Sequence, residues 1–181
     1  MEFTTLGTKL RIDFSFLLII LLSAILGNNN LLWLVLFSSL HEMGHIVALL
    51  IFGGNVDEIT VSYYGIGMCH NARLRPIKEI VFLSAGVMIN AFFAAFNLHR
   101  EINTALLLIN VLPIYPLDGG RVMNALIELI LSADSSYRIT KLISLTISAI
   151  IFAVAIVFRN ISLLMIVLYI TFYYINFEVL Q

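Results

Sequence analysis

The chain has 181 residues, 61% hydrophobic and 12% charged, with a mean hydropathy of +1.02. That balance excludes a water-soluble globular domain, whose surface needs about twice as much charge. A net charge of −1 without a basic cluster speaks against a nucleic-acid partner, and the single cysteine, Cys69, excludes an intramolecular disulfide.

About 20 apolar residues cross the hydrocarbon core as a helix. Six segments are read as spans, at about 12–27, 31–52, 77–98, 103–131, 139–158 and 160–179. Lys9 and Arg11 ahead of the first segment resemble the opening of a signal peptide. The following Ser23-Ala24-Ile25-Leu26-Gly27-Asn28 is a poor cleavage site, so a retained span is expected. Gly27-Asn28-Asn29-Asn30 then turns the first two spans into a helical hairpin, and Arg100-Glu101 and Arg159-Asn160 mark two further short turns.

Lys9, Arg11, Arg73, Arg75, Lys78, Arg138 and Lys141 fall on one side of this arrangement, against Arg100 and Arg159 on the other. Seven against two places both termini in the cytoplasm by the positive-inside rule.

Residues 53–76 break the apolar pattern. Gly53-Gly54 ends the second span, and Glu58-Ile59-Thr60-Val61-Ser62-Tyr63 alternates with period two, as a strand does. Tyr64-Gly65 turns the chain, and Ile66–His70 returns as a second strand. The expectation is a small re-entrant β-hairpin whose free edge can pair with an extended peptide, the alternative being an ordinary cytoplasmic loop.

Within the second span lies His41-Glu42-Met43-Gly44-His45, flanked on both sides by apolar residues. Histidines four apart share a helix face, so both imidazoles can reach one Zn²⁺ while Glu42 reaches the water beside it. Glu42 is expected to act as general base rather than ligand. Gly44 permits close approach of a neighbouring helix, and Met43 packs. A chance polar contact between spans would not explain a glutamate buried in lipid, which costs several kcal/mol unless it is paired or used.

A catalytic zinc takes three protein ligands and leaves a fourth position open. The segment 103–131 is interrupted by Pro113 and Pro116 before Asp118-Gly119-Gly120, and helical character resumes at Arg121. Irregular backbone at membrane depth needs protein or a wet cavity around it. Asp118 sits at this break and is the favoured third ligand, ahead of Glu128, His99 and His70. The plainer reading of Asp118 is an N-cap for the resumed helix. The Cys69-His70 pair lacks spaced partners and is discounted as a second metal site.

These residues resemble the site-2 protease family of intramembrane zinc metalloproteases. One signature is Phe37–His45, containing His41-Glu42-Met43-Gly44-His45, and the other is Asn110-Val111-Leu112-Pro113-Ile114-Tyr115-Pro116-Leu117-Asp118-Gly119-Gly120-Arg121. The likeness covers a catalytic core at about residues 31–131. It implies one Zn²⁺ per chain held by His41, His45 and Asp118, with Glu42 catalytic. It also implies cleavage of membrane-tethered proteins and a re-entrant hairpin at 53–76. A third family feature, Gly-Pro followed by Asn, is kept here as Gly86 and Asn90 with Val87 in place of the proline. Asn90 and Asn110 are candidates for contacting the substrate or its oxyanion, the alternative for Asn90 being a polar contact between helices.

The turn between the third and fourth spans is too short for a PDZ domain. No CBS domain is expected, and residues 1–181 are read as one membrane-embedded domain. The compact plan is most similar to the sporulation branch of the family. That likeness implies a sigma-factor precursor as substrate and membrane proteins as inhibitory partners. The reading is therefore an all-α polytopic membrane metalloprotease with a small β-hairpin. Its alternatives are a metal transporter, or an inert relative that binds substrate proteins.

Overall fold

The structure is a computed structural model describing residues 2–5, 8–27, 29–62, 65–70, 72, 74–161, 163–169 and 171. In chain order these form strands β1 (Glu2–Thr5) and β2 (Thr8–Ile12), then helices α1 (Phe14–Leu26) and α2 (Asn29–Ile51). Strands β3 (Glu58–Ser62) and β4 (Gly65–Cys69) follow, and then helices α3 (Pro76–Ala95), α4 (Arg100–Val111), α5 (Asp118–Glu128) and α6 (Ala133–Val157). The chain divides into two compact units, Met1–Leu108 and Ile109–Gln181.

In the first unit the expected hairpin is present as β3 and β4, with Ile59 opposite Met68 and Val61 opposite Ile66. Tyr64, assigned to its turn, lies outside the described residues. The hairpin does not stand alone. The sheet has four strands in the order β1-β2-β3-β4, because the amino terminus forms a second hairpin and β2 joins β3 in parallel. One edge of the expected hairpin is therefore already filled, and β4 carries the other. An all-α protein with two strands is corrected to a helical protein with a four-stranded sheet. The missed signal was Thr8-Lys9-Leu10-Arg11-Ile12, where Leu10 and Ile12 are half-buried and Lys9 and Arg11 exposed. Parallel strands need a long connection, and the helical pair α1–α2 supplies it.

Glycine marks the helix ends. Gly27, at φ 62°, closes α1 by donating its N–H to the Ser23 carbonyl, and Gly53, at φ 78°, follows α2. The turn after α3 uses positive φ at Asn97 and His99, so Arg100 and Glu101 open α4 instead of forming the turn. The side-chain nitrogen of the buried Asn103 donates to the carbonyls of Leu98 and His99, at 2.8 and 3.3 Å, and ties that turn down.

Helices α2, α3 and α6, of 23, 20 and 25 residues, are long and apolar enough to cross a membrane. With 13 residues, α1 spans about 20 Å, short of the roughly 30 Å core. The segment 103–131 is two helices, α4 and α5, separated by residues 112–117. The sixth expected span, 160–179, falls largely outside the described residues, although Asn160 Oδ1 accepts from the Leu163 N–H at 3.1 Å, as a helix cap does.

The core of the first unit lies where α2 meets α3, with Phe37, Leu49, Phe82 and Leu83 buried. Gly44 makes that approach possible, since a Cβ there would stand 2.9 Å from the Ala85 carbonyl oxygen. Replacing Gly44 with Ala should push the two helices apart and lower stability by about 1–3 kcal/mol. Thermal unfolding in detergent checks this, and an unchanged midpoint would remove the argument.

In the second unit α5 packs on α6 through a buried polar seam at every fourth residue of α6: Ser136, Thr140, Ser144 and Ser148. Ser136 Oγ donates to Asn124 Oδ1 on α5 at 2.9 Å, and Ser144 Oγ donates to the Thr140 carbonyl at 2.7 Å. The first of these joins two helices, where in lipid apolar contact offers no advantage over the lipid tails, and the second lies within α6.

Candidate metal centre

Both histidines lie in the middle of α2 on the face turned to α3, and each is only 4% exposed. The four-residue spacing brings their Nε2 atoms to 3.1 Å. Two nitrogens bound to one tetrahedral zinc, at bond lengths of about 2.0–2.1 Å, lie about 3.3 Å apart, so the pair is close to ligand spacing. A carboxylate oxygen of Glu42 joins them, with all three candidate ligand atoms within 4.8 Å of one another. Glu42 thus reaches the cluster more closely than its position beside His41 suggested.

The orientation of His45 is set from α3. Its Nδ1 lies 2.8 Å from the Phe82 carbonyl oxygen. A carbonyl only accepts, so Nδ1 carries the proton and Nε2 the lone pair that metal ligation requires. The Phe82 ring also lies against the imidazole, at 5.3 Å between centroids.

One turn further along α3, Gly86 faces both rings. A Cβ at this position would lie 2.5 Å from His45 Nε2 and 2.7 Å from His41 Nε2. The missing side chain therefore leaves room beside the two donor atoms. Two imidazole nitrogens at ligand spacing, a carboxylate within reach and a glycine-sized space beside them fit a zinc ion.

Asn90 follows Gly86 by four residues and so shares its helix face. It is fully buried, and neither its amide nitrogen nor its oxygen has a hydrogen-bond partner among the described residues. A buried amide left in that condition costs about 1–3 kcal/mol.

The second motif lies in the other unit. Asp118 is the first residue of α5, and the N-cap position is Leu117, which makes no side-chain cap hydrogen bond. The cap reading of Asp118 is thereby corrected, although an acid in the first turn still complements the helix dipole. Gly119 and Gly120 let the first turn of α5 lie against the preceding backbone. A Cβ on Gly119 would strike the Val111 and Leu112 carbonyls, and one on Gly120 the Ile114 and Tyr115 backbone. Asn110, in the last turn of α4, is half-buried.

The other candidates have structural surroundings. His99 stacks on Trp33, with ring centroids 3.9 Å apart, and lies 5.6 Å from Phe37. His70 packs edge-on against Phe82 at 5.2 Å. Glu128 is the last residue of α5. Among the described residues the side chains grouped closely enough to hold a metal ion are His41, Glu42 and His45. The roles of Gly86 and the Phe82 carbonyl had no full sequence signal, because one acts through an absent side chain and the other through backbone.

Residues 66–154 match the sequence model of peptidase family M50. This window contains the second motif and begins after the histidine pair. The matches described here support peptidase family M50, the site-2 proteases. The chain is 24% identical over 187 aligned residues to zinc metalloprotease MJ0392 of Methanocaldococcus jannaschii, an alignment covering 91% of this chain. It spans 55% of that relative's length. Among solved structures, the site-2 protease from Methanocaldococcus jannaschii superposes with a TM-score of 0.70 at 21% identity, over 95% of this chain and 92% of the other. The two share the site-2 protease fold.

Proposed function

We propose that this chain is an intramembrane zinc metalloprotease that hydrolyses peptide bonds of membrane-tethered proteins. The observation that carries the reading is the pair of Nε2 atoms 3.1 Å apart, with Glu42 in reach, at the centre of an apolar helix. In this reading His41, His45 and Asp118 hold one zinc ion. Bound zinc supplies Lewis acidity, which lowers the pKa of a water to about 7 and polarises a carbonyl. Glu42 takes the proton of the attacking water and passes it to the departing amine. Asn90 and Asn110 donate hydrogen bonds to the substrate backbone or to the oxygen on which charge develops.

A peptide bond inside a helix is shielded, so the substrate has to unwind before attack. Strand β4, at the edge of the sheet, offers backbone groups to hold an unwound segment by strand addition. The Lys/Arg asymmetry supports cytoplasmic termini, and in this reading the product leaves on that side. The compact plan resembles stage IV sporulation protein FB. That likeness makes a sigma-factor precursor the first substrate to try, and membrane proteins the inhibitory partners to seek.

Purified protein should contain about one zinc per chain and cleave a co-reconstituted membrane-tethered substrate, with cleavage abolished by chelation. Metal-free protein that still cleaves would overturn the reading. An Asp118→Asn variant should bind zinc at least about tenfold more weakly. Unchanged zinc affinity would remove Asp118 from the ligand set and leave the histidine pair untouched.

A further inference from the structure

We infer that Ser144, on α6, is a positioning residue for Asp118; this rests on the proposed role of Asp118 as the third zinc ligand. The hydroxyl of Ser144 is 2% exposed and engaged in both directions. Its proton is directed to the Thr140 carbonyl at 2.7 Å, so its lone pairs face the Tyr115 N–H, which donates to it at 2.9 Å. Tyr115 belongs to the break between α4 and α5, three residues before Asp118.

The same peptide is held from its other side. Gly120 packs directly on the Ile114–Tyr115 backbone, and the Leu117 N–H donates to the Ile114 carbonyl at 2.9 Å. Ile114 is itself 2% exposed. The backbone that leads into Asp118 is thus clamped between the first turn of α5 and one hydroxyl of α6. A break lacking regular helical hydrogen bonds would otherwise be the softest part of the unit, and side chains commonly replace those bonds at membrane depth. The register of Asp118 against α6 therefore depends on the Tyr115–Ser144 hydrogen bond.

Ser136 supplies the internal comparison. It makes a comparably buried side-chain bond from α6, to Asn124 Oδ1 of α5 at 2.9 Å, away from the break. Ser144→Ala, Ser144→Thr, Ser136→Ala and Asp118→Asn would be purified in detergent. Zinc affinity would be read by chelator competition, and backbone exchange of residues 112–117 by hydrogen–deuterium mass spectrometry. Ser144→Ala should speed exchange at 112–117 and weaken zinc binding about tenfold, the lower end of the range for groups that orient ligands. Ser144→Thr, which keeps the hydroxyl, should restore both, and Ser136→Ala should change neither. Wild-type zinc affinity in Ser144→Ala, alongside a loss in Asp118→Asn, would overturn the inference alone. An equal loss in Ser136→Ala would also overturn it, by reducing the effect to general destabilisation. Wild-type affinity in Asp118→Asn would instead overturn the ligand assignment beneath it.

Discussion

Glu42→Gln should retain zinc and lose about 10²–10⁴-fold in cleavage rate, the range that positioned acid–base catalysis contributes. The substitution keeps the size of the side chain and its place on α2, half-buried beside the two imidazoles. It removes the capacity to take a proton from water and return it to a leaving amine. Zinc content and cleavage of a membrane-tethered substrate must be measured on the same preparation. Full cleavage by the glutamine variant would defeat the proposed mechanism. Loss of zinc together with activity would instead make Glu42 a ligand.

The second large effect concerns a residue that contributes no atoms to the chemistry. Gly86→Ala should lower zinc affinity by about 100-fold, the upper end of what groups outside the ligand shell exert. A methyl group there meets His45 Nε2 at 2.5 Å and His41 Nε2 at 2.7 Å, so the rings or the helix have to move. The His45 ring has little freedom to yield, because its Nδ1 is held by the Phe82 carbonyl one turn earlier on the same helix. Movement of α3 away from α2 would expose the packed side chains between them, Phe37, Leu49, Phe82 and Leu83. The measurement is zinc affinity by chelator competition, with helical content followed by circular dichroism. A folded Gly86→Ala protein that binds zinc as wild type would show that the space beside the two nitrogens is not needed for the metal.

The family-model match and the histidine cluster lie in different parts of the chain. The M50 match begins at residue 66, after the histidine pair, and includes the Asp118 motif. The local geometry at His41 and His45 is a separate observation in α2.

Much of this protein was legible in the sequence because lipid imposes simple rules. Long apolar runs become helices, since every backbone N–H and C=O must be satisfied within the segment; α2 and α3 lie within a few residues of the segments expected from hydropathy, and α6 contains most of its segment but begins earlier, at Ala133. The histidine pair was legible for a related reason, because a four-residue spacing on a helix already determines which side chains are neighbours. The break before α5 could be read from Pro113, Pro116 and the glycine pair, whose backbone preferences are local.

Tertiary structure decided what depends on partners distant in sequence. The amino-terminal strands became part of a sheet because β3 offered a parallel edge, a pairing that a short alternating segment does not announce. The tautomer of His45 came from a backbone carbonyl on another helix, and the space for a metal from a residue whose contribution is having no side chain. The hold on the break came from Ser144, 29 residues beyond the amide it accepts. Periodicity and propensity describe a segment against its solvent, whereas these contacts exist only once two helices have chosen each other's faces.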